Sequence, residues 1–249
     1  MSRWHRYSGS GNTFVLHHDS DHLFDDGSGD EIRSLCQQYD VDGLIVVRPS
    51  TVSDCRMVYM NRDGTRGAMC GNGLRCTTHF ALSTIFPSLK EISIETDRGI
   101  HKGKAKGDLV TVEVSATPRL KPVFLSEEKV EGVLADTGVP HFLVPVRTVS
   151  KVDVEALGKR LRYHKAFEPE GVNVTFVEYR KDLLGVRTYE RGVEAETGSC
   201  GTGMVAAGAL FFHLYPNKKK VLVRPTSREK LTVYTKRGRL FLEGKVKIL

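Results

Sequence analysis

The sequence lacks both a long apolar segment and a paired-cysteine motif. Its longest apolar stretch, Met204 to Leu214, is interrupted by Gly208 and His213 and is shorter than the roughly 20 residues that span a bilayer. The cysteines include no C-x-x-C pair, and no H-E-x-x-H occurs, so neither a zinc site nor a secreted disulfide scaffold is expected. The first residues contain no apolar signal core. We therefore expect a cytoplasmic protein with no membrane partner and no bound metal.

The composition is that of an ordinary globular protein. Its 249 residues correspond to roughly 1.7 domains of average length, which allows one large domain or two compact halves. Hydrophobic residues make up 40% and charged residues 27%, and this balance excludes disorder. The 24 glycines exceed the average usage of about 7% and indicate tight turns or close approaches of the backbone to a ligand.

Short β-type runs predominate, and helical patterns are few. Alternation and β-branched content predict strands at 43–47, 55–59, 91–95, 109–114, 173–179, 184–189 and 221–224, and a final hairpin at 231–235 and 240–248. Two amphipathic helices are predicted at 30–38 and 154–163, with Asp30 and Asp153 as their N-caps.

Two further helices are predicted at about 72–85 and 202–214. Both contain mostly small or apolar residues on all their faces, which is typical of helices buried inside a sheet. Each follows a C-G-x-G segment, and the cysteines of the two segments, Cys70 and Cys200, are 200 − 70 = 130 residues apart. The same order of strands, C-G-x-G and buried helix therefore occurs twice, which predicts a duplicated domain.

The boundary of the duplication is expected near residues 116–118. Residues 1–116 then form a first half that carries Cys70, and residues 117–239 form a second half that carries Cys200. A C-terminal strand at about 240–249 is expected to return to the first half.

A cysteine directly before a helix lies near unpaired backbone N–H groups and the positive end of the helix dipole. This setting lowers the thiol pKa from about 8.5, so that the thiolate is populated near neutrality. If the two halves face each other, one thiolate can remove a proton from one face of a carbon while the other thiol delivers a proton to the opposite face. Cys36, Cys55 and Cys76 have no such setting and are expected to be packed residues.

Two long segments resemble the signature motifs of the diaminopimelate epimerases. They are residues 61–76 (NRDGTRGAMCGNGLRC) and 189–203 (YERGVEAETGSCGTG), and residues 7–14 (YSGSGNTF) resemble the N-terminal segment of that family. The resemblance covers the whole chain. It implies an α+β fold of two pseudo-symmetric halves, each a mixed β-sheet wrapped around a central helix. It also implies an epimerase that needs neither pyridoxal phosphate nor any other cofactor, with an amino acid as its small-molecule substrate, and members of the family tend to form homodimers.

The resemblance also assigns roles to individual residues. Cys70 and Cys200 match the catalytic pair, with Cys200 as proton acceptor and Cys70 as donor in the LL to meso direction and the roles exchanged in reverse. His141 and Glu190 match residues that tune the thiol pKa values. The substrate-binding positions of the family match Asn12, Asn61, Gly71, Asn72, Asn173, Glu190, Arg191, Gly201 and Thr202.

The substrate implied is LL-2,6-diaminopimelate, converted to the meso isomer for lysine and peptidoglycan precursors. Three residues bear on the family pattern. Gly43 stands where some members carry a Gln and others a Gly, Val139 stands where many carry an Asn, and Met69 is closer to the proline racemase branch. Valine cannot donate a hydrogen bond to the distal end of the substrate, so a slow side activity as a glutamate racemase is expected.

Two alternative functions remain at this stage. A proline or hydroxyproline racemase or epimerase is disfavoured by Glu190 and Arg191, because a proline-type substrate has no second charged end. A nucleic-acid-binding protein is suggested by the net charge of +7 and the lysines at 218–220. No aromatic ladder accompanies those lysines, so a solvated turn is the better interpretation and no nucleic-acid partner is expected.

Overall fold

A computed structural model describes residues 4–67 and 69–249. Its contacts divide the chain into two compact units, one running to Glu113 and including Glu243–Leu249, the other comprising Val114–Leu242. The first unit contains helices α1 (Gly29–Tyr39) and α2 (Gly71–Phe80), and its strands are β1 (His5–Gly9), β2 (Asn12–His18), β3 (Gly43–Arg48), β4 (Cys55–Asn61), β5 (Arg66–Gly67), β6 (Ile92–Thr96), β7 (Gly99–Lys106) and most of β8 (Leu109–Ala116).

The second unit repeats this order of elements after one additional strand at its start. Its helices are α3 (Val154–Arg162) and α4 (Gly201–Leu214), and its strands are β9 (Lys121–Leu125), β10 (Val130–Asp136), β11 (Pro140–Pro145), β12 (Asn173–Arg180), β13 (Leu183–Glu190), β14 (Ala195–Thr197), β15 (Lys220–Arg224) and β16 (Leu231–Lys236). The last strand, β17 (Arg239–Ile248), begins in the second unit and ends in the first. None of the described helices is both long and apolar enough for a membrane span.

The strands of the first unit close into an eight-stranded ring around α2. The ring follows the order β1–β2–β3–β4–β6–β7–β8–β17 and returns to β1, with β2 parallel to β3 and β4 parallel to β6. Helix α2 contacts β1, β2, β3, β4 and β7, and nine of its ten residues are buried. Strand β3 is buried on both faces, because α1 covers the face carrying Leu44 and Val46 and Ile45 lies near Gly73 of α2.

The second unit has the same sequence of pairings around α4. Parallel β11–β12, antiparallel β12–β13 and parallel β13–β15 repeat the pairings β2–β3, β3–β4 and β4–β6. Helix α4 contacts β11, β12, β13, β15 and β16, and α3 packs on the outside through a core that includes Val154, Leu161 and Tyr189. The expected α+β fold of two similar halves, each a mixed sheet around a central helix, is confirmed.

The helices α2, α3 and α4 agree with the predictions from the sequence, whereas α1 begins at a different residue. The segment predicted as helix 72–85 is α2 followed by one π-helical turn, Ala81–Ile85. Asp153 caps α3 by accepting a hydrogen bond from the Ala156 N–H at 3.0 Å. The prediction of Asp30 as an N-cap was wrong, because Ser28 Oγ accepts from the Glu31 N–H and Asp30 lies in the first turn of α1.

Candidate active site

Cys70 is the N-cap residue of α2. Its backbone is extended, with φ −134° and ψ 114°, and the Gly73 N–H donates to its Sγ at 3.4 Å. The thiol therefore occupies the position in which a serine or aspartate oxygen usually satisfies the first N–H groups of a helix. Gly71 begins the helix at this point, and the side chain of Cys70 is partly exposed.

Asn72 and Asn12 are joined by a hydrogen bond from Asn72 Nδ2 to Asn12 Oδ1 at 2.7 Å. Arg75, which is fully buried in α2, donates from Nη1 to Asn72 Oδ1 at 3.1 Å and from Nη2 to Ser10 Oγ at 2.6 Å. Since a guanidinium can only donate, this chain of bonds makes Asn72 Nδ2 the donor to Asn12. Asn12 therefore presents Nδ2, a donor, as the other end of its amide.

Arg75 and Ser10 were missed by the sequence analysis. The signal in the sequence was one arginine in a helix of mostly small and apolar residues, since an arginine is rarely buried unless its guanidinium is paired. Ser10 is buried with φ 57° in the tight turn between β1 and β2, 65 residues from Arg75. No local pattern joins the two residues.

Asn61 lies at the end of β4, directly opposite Gly43 of β3. Its Nδ2 donates to Thr65 Oγ1 at 3.0 Å across the following turn. The absence of a side chain at Gly43 has a steric cause, because a Cβ there would lie 2.7 Å from the Tyr59 ring and 2.8 Å from the Met60 carbonyl oxygen. An amide side chain does not fit at this position unless both the Tyr59 ring and the backbone at Met60 move.

Cys200 is the N-cap residue of α4, with an extended backbone of φ −98° and ψ 107°. Its Sγ lies 3.5 Å from Thr202 Oγ1, and its side chain is buried. Burial and the neighbouring Glu190 carboxylate raise the pKa of the Cys200 thiol well above its usual value. The prediction of a lowered pKa was therefore wrong for Cys200, because desolvation and a like charge outweigh the helix N-terminus.

Glu190 ends β13 beside Cys200. It accepts hydrogen bonds from Thr197 Oγ1 and from the Cys200 thiol. Burial raises the pKa of the Glu190 carboxyl, although both hydrogen bonds act in the opposite direction. Glu190 is therefore a stronger base than an exposed glutamate and is within reach of the Cys200 proton.

His141 is fully buried at the start of β11 and is connected to Cys200 through Thr202. Its Nδ1 lies 2.9 Å from Thr175 Oγ1, and its Nε2 lies 2.9 Å from Thr202 Oγ1. Burial, together with the positive charge of Arg191, lowers the pKa of His141 to about 3, so the imidazole is neutral near pH 7. This neutral ring orients the Thr202 hydroxyl that faces the thiol.

The first turn of α4 packs very closely against this histidine. A Cβ at Gly203 would lie 3.0 Å from Thr175 Oγ1 and from Thr188 Oγ1, and 3.2 Å from His141 Cε1. Glycine at 203 is therefore favoured by close approach, because a side chain there would push Thr175, Thr188 or His141 outward by a few tenths of an ångström. Gly201 and Thr202 form the same buried turn.

Asn173 and Arg191 lie beside this cluster. Asn173 is the register partner of His141 in the parallel pair β11–β12. Its Nδ2 donates to the Pro140 carbonyl at 3.0 Å, and its Oδ1 accepts from the Arg191 N–H at 2.9 Å. The Arg191 guanidinium forms an ion pair with Glu170 at 3.2 Å. The Asn173 side chain thus holds together two backbone segments, one next to His141 and the other next to Glu190.

The structure connects some of the predicted residues within each unit. Hydrogen bonds connect Cys200, Thr202, His141 and Glu190 in the second unit, and Asn12 is bonded to Asn72 two residues after Cys70 in the first. The remaining cysteines are packed residues, as predicted: Cys36, Cys55 and Cys76 are buried. Burial raises the pKa of Cys36 to about 11 and that of Cys55 to about 12.

Solved structures with this fold include epimerases of other substrate classes. A PhzF-family phenazine biosynthesis protein from Bacillus anthracis superposes with a TM-score of 0.76 at 16% identity, covering 99% of this chain and 96% of that chain. A hydroxyproline epimerase from Agrobacterium vitis with bound trans-4-hydroxy-L-proline has a TM-score of 0.68 at 17% identity, covering 100% and 89%. At these identities the similarity shows the fold alone.

Sequence relatives are much closer. The diaminopimelate epimerase of Chlamydia muridarum is 40% identical over 257 aligned positions, covering 99% of this chain and 92% of the relative. That of Aquifex aeolicus is 38% identical over 251 positions, covering 94% and 89%. The model of the diaminopimelate epimerase family matches residues 5–118 and 133–249. The chain belongs to the diaminopimelate epimerase family.

Proposed function

We propose that this chain converts LL-2,6-diaminopimelate to the meso isomer by proton exchange at the α-carbon, with Cys70 and Cys200 as the two acid–base groups and no cofactor. The observation that carries the proposal is the equivalent position of the two cysteines. Each is the extended N-cap residue of the buried helix at the centre of its unit. Family membership supports the substrate.

The contacts of each half support a two-thiol mechanism. A thiolate removes the α-proton from one face, and the opposite thiol supplies a proton to the other face, so the two sulfur atoms exchange protonation states in each turnover. The backbone N–H groups at the start of α2 and α4 lie at the positive ends of the helix dipoles, and this setting suits the substrate's α-carboxylate and the negative charge that develops as the proton leaves.

Cys200 begins as a thiol because its pKa is raised. To act as the proton acceptor it must first lose that proton, and Glu190, which accepts its hydrogen bond, is the base in reach. We assign to Glu190 the transfer of the Cys200 proton, and to His141 and Thr202 the positioning of the sulfur. Arg191 suits the distal carboxylate of the substrate, since a guanidinium binds carboxylates bidentately.

The wider assignments belong to the same proposal. Meso-diaminopimelate is the form that lysine and peptidoglycan synthesis use, so a cytoplasmic location fits the reaction. A homodimer and a slow glutamate racemase activity remain predictions, and a proline or hydroxyproline substrate is the alternative within this fold.

Incorporation of α-deuterium from D₂O into LL-diaminopimelate, glutamate, proline and hydroxyproline tests the proposal directly. We expect rapid exchange with diaminopimelate and none with the two prolines. Cys70→Ser and Cys200→Ser should each abolish most exchange, because a hydroxyl is a much weaker acid than a thiol. Cys36→Ala is the control, since Cys36 lies on the buried face of α1. Near-normal turnover by either serine variant would contradict the two-thiol mechanism.

A further inference from the structure

A cavity of about 320 Å³ lies in the second unit, and none of the residues assigned above lines it. Its walls come from the turn at 149–150, the ends of β12 and β13, and the segment that follows β15. Its apolar lining includes Val149, Leu183 and Pro225. The volume is at the lower end of the range for small-molecule sites.

Arginine is the dominant polar residue of this cavity. Four arginines line it (Arg180, Arg187, Arg224 and Arg228) against a single carboxylate, that of Glu178. Glu178 pairs with Arg180 at 2.7 Å, and Glu196 binds Arg187 bidentately. Within the described ranges 4–67 and 69–249, Arg224 and Arg228 form no ion pair. The cavity therefore carries two uncompensated positive charges.

The wall of the cavity is bonded to the segment that leads to Cys200. Thr226 Oγ1 donates to Glu196 Oε1 at 2.7 Å, and the Ser227 N–H donates to the Gly198 carbonyl at 2.8 Å. Glu196 also holds Arg187 of the opposite wall. Thr197, between the two contacts, donates to Glu190. A ligand that draws the 224–228 segment into the cavity therefore pulls on both Glu196 and Gly198, the residues on either side of Thr197.

We propose that this cavity binds a small organic dianion through Arg224 and Arg228, and that its occupation restrains residues 196–198 beside Cys200. Guanidinium groups bind carboxylate and phosphate oxygens bidentately. Two such groups beside apolar walls fit a short aliphatic dicarboxylate or a phosphate monoester. Diaminopimelate carries two ammonium groups besides its carboxylates, which the cavity's arginines repel, so the ligand differs from the substrate.

Calorimetric titration of the full chain with succinate and, separately, with glycerol phosphate tests the binding step. We expect at least one of these probes to bind at a single site. The probe that binds more tightly shows whether the natural ligand is a carboxylate or a phosphate. Loss of one charge-assisted contact should weaken binding roughly tenfold or more in Arg224→Gln and in Arg228→Gly. Arg228 has φ 64°, a conformation that glycine adopts freely, so its replacement by glycine leaves the fold intact.

Arg160→Ala is the matched control, because Arg160 is an exposed arginine of the same unit on α3 and lies outside the cavity lining. Equal binding by the wild type, the control and both cavity variants would overturn the site, as would no binding of either probe. The result is independent of the proposed epimerase activity, because no substrate is present.

Hydrogen–deuterium exchange tests the connection to Cys200. With the probe at a concentration close to the wild-type Kd, the amides of residues 195–199 and of Ser227 should exchange more slowly in the wild type, and should gain much less protection in Arg228→Gly, whose site is then mostly empty. Binding without added protection of these amides would overturn the restraint of the 196–198 segment.

Discussion

Arg75 donates a hydrogen bond from Nη1 to Asn72 Oδ1 at 3.1 Å, inside the first unit and away from solvent. Because the guanidinium has no acceptor, this bond sets the direction of the next one, from Asn72 to Asn12. An asparagine amide has two nearly isosteric orientations, and here a buried cation selects one of them.

We predict that Arg75→Met raises KM for diaminopimelate roughly tenfold, the cost of about one charge-assisted hydrogen bond, while kcat changes much less. Without the guanidinium, the Asn12 amide can turn its oxygen toward the substrate carboxylate. Steady-state kinetics of α-proton exchange measure the split, and Arg75→Lys should recover part of the lost affinity. A fall in kcat with KM unchanged would contradict the positioning role.

Loss of stability could also reduce activity in this variant, since Arg75 is fully buried. Thermal unfolding of Arg75→Met should therefore be measured beside the kinetics, at a temperature where the variant is folded. Arg160→Met, an exposed substitution on α3, is the control for loss of a charge.

His141 predicts a specific dependence of stability on pH. Its pKa is lowered to about 3 in the folded chain from 6.5, so between these values the unfolded chain binds more protons than the folded one. The stability that the neutral ring contributes is present above pH 6.5 and is lost as the pH falls toward 3. The contribution of this one group to the slope is up to about 1.4 kcal/mol per pH unit.

Denaturant unfolding between pH 6.5 and 4 measures this slope. His141→Asn should show a shallower slope than the wild type, whatever its absolute stability. His213→Gln is the control, since His213 is exposed near the end of α4, and its slope should match that of the wild type. Equal slopes for all three proteins would show that His141 is not held neutral by burial.

Much of this fold could be predicted from the sequence, because its strands follow local patterns. The buried run at β3 and the alternation in β15 are visible in composition alone. The two central helices were predictable because each has small and apolar residues on all its faces and is preceded by a C-G-x-G segment. The start of α1 was not, because Ser28 and Asp30 are both good capping residues and only the backbone conformation decides between them.

Sequence motifs suggest candidate residues for the site, but they do not predict the pKa values of those residues. The position of Cys200 before a helix indicates a lowered thiol pKa, whereas its burial beside Glu190 raises it. From the sequence alone, Gly43 is interpreted as the loss of an amide side chain. In the structure a Cβ at this position would lie 2.7 Å from the Tyr59 ring, which gives the glycine a steric reason. Both effects arise from residues far away in sequence or from burial, and neither leaves a local pattern.

Glu190→Gln should decrease kcat by roughly 10²–10⁴-fold, the usual contribution of a general base, because glutamine cannot take the Cys200 proton. The raised pKa of Cys200 gives a second expectation: the activity of the variant should rise with pH, since hydroxide then deprotonates the thiol. The pH profile of kcat from pH 6 to 10 checks this. A variant with the wild-type profile and rate would exclude Glu190 as the base.

Val139 offers the test of substrate breadth. Its side chain is partly exposed, and its carbonyl oxygen accepts from the Thr137 N–H at 3.3 Å, so an asparagine fits at this position without rearranging the backbone. An amide there can hydrogen-bond the distal end of diaminopimelate, which valine cannot do. Such a bond to a charged group contributes about 1.5–3 kcal/mol, or roughly ten- to hundred-fold in affinity.

Val139→Asn should therefore raise the ratio of kcat/KM for diaminopimelate over glutamate by a similar factor. Glutamate keeps a distal carboxylate for Arg191 but lacks the distal ammonium group, so the wild type should racemise it slowly. Incorporation of α-deuterium into glutamate during long incubation measures that activity, with Cys200→Ser as the background. If no deuterium enters glutamate with the active wild type, contacts other than residue 139 already reject the shorter substrate, and the ratio should not respond to the substitution.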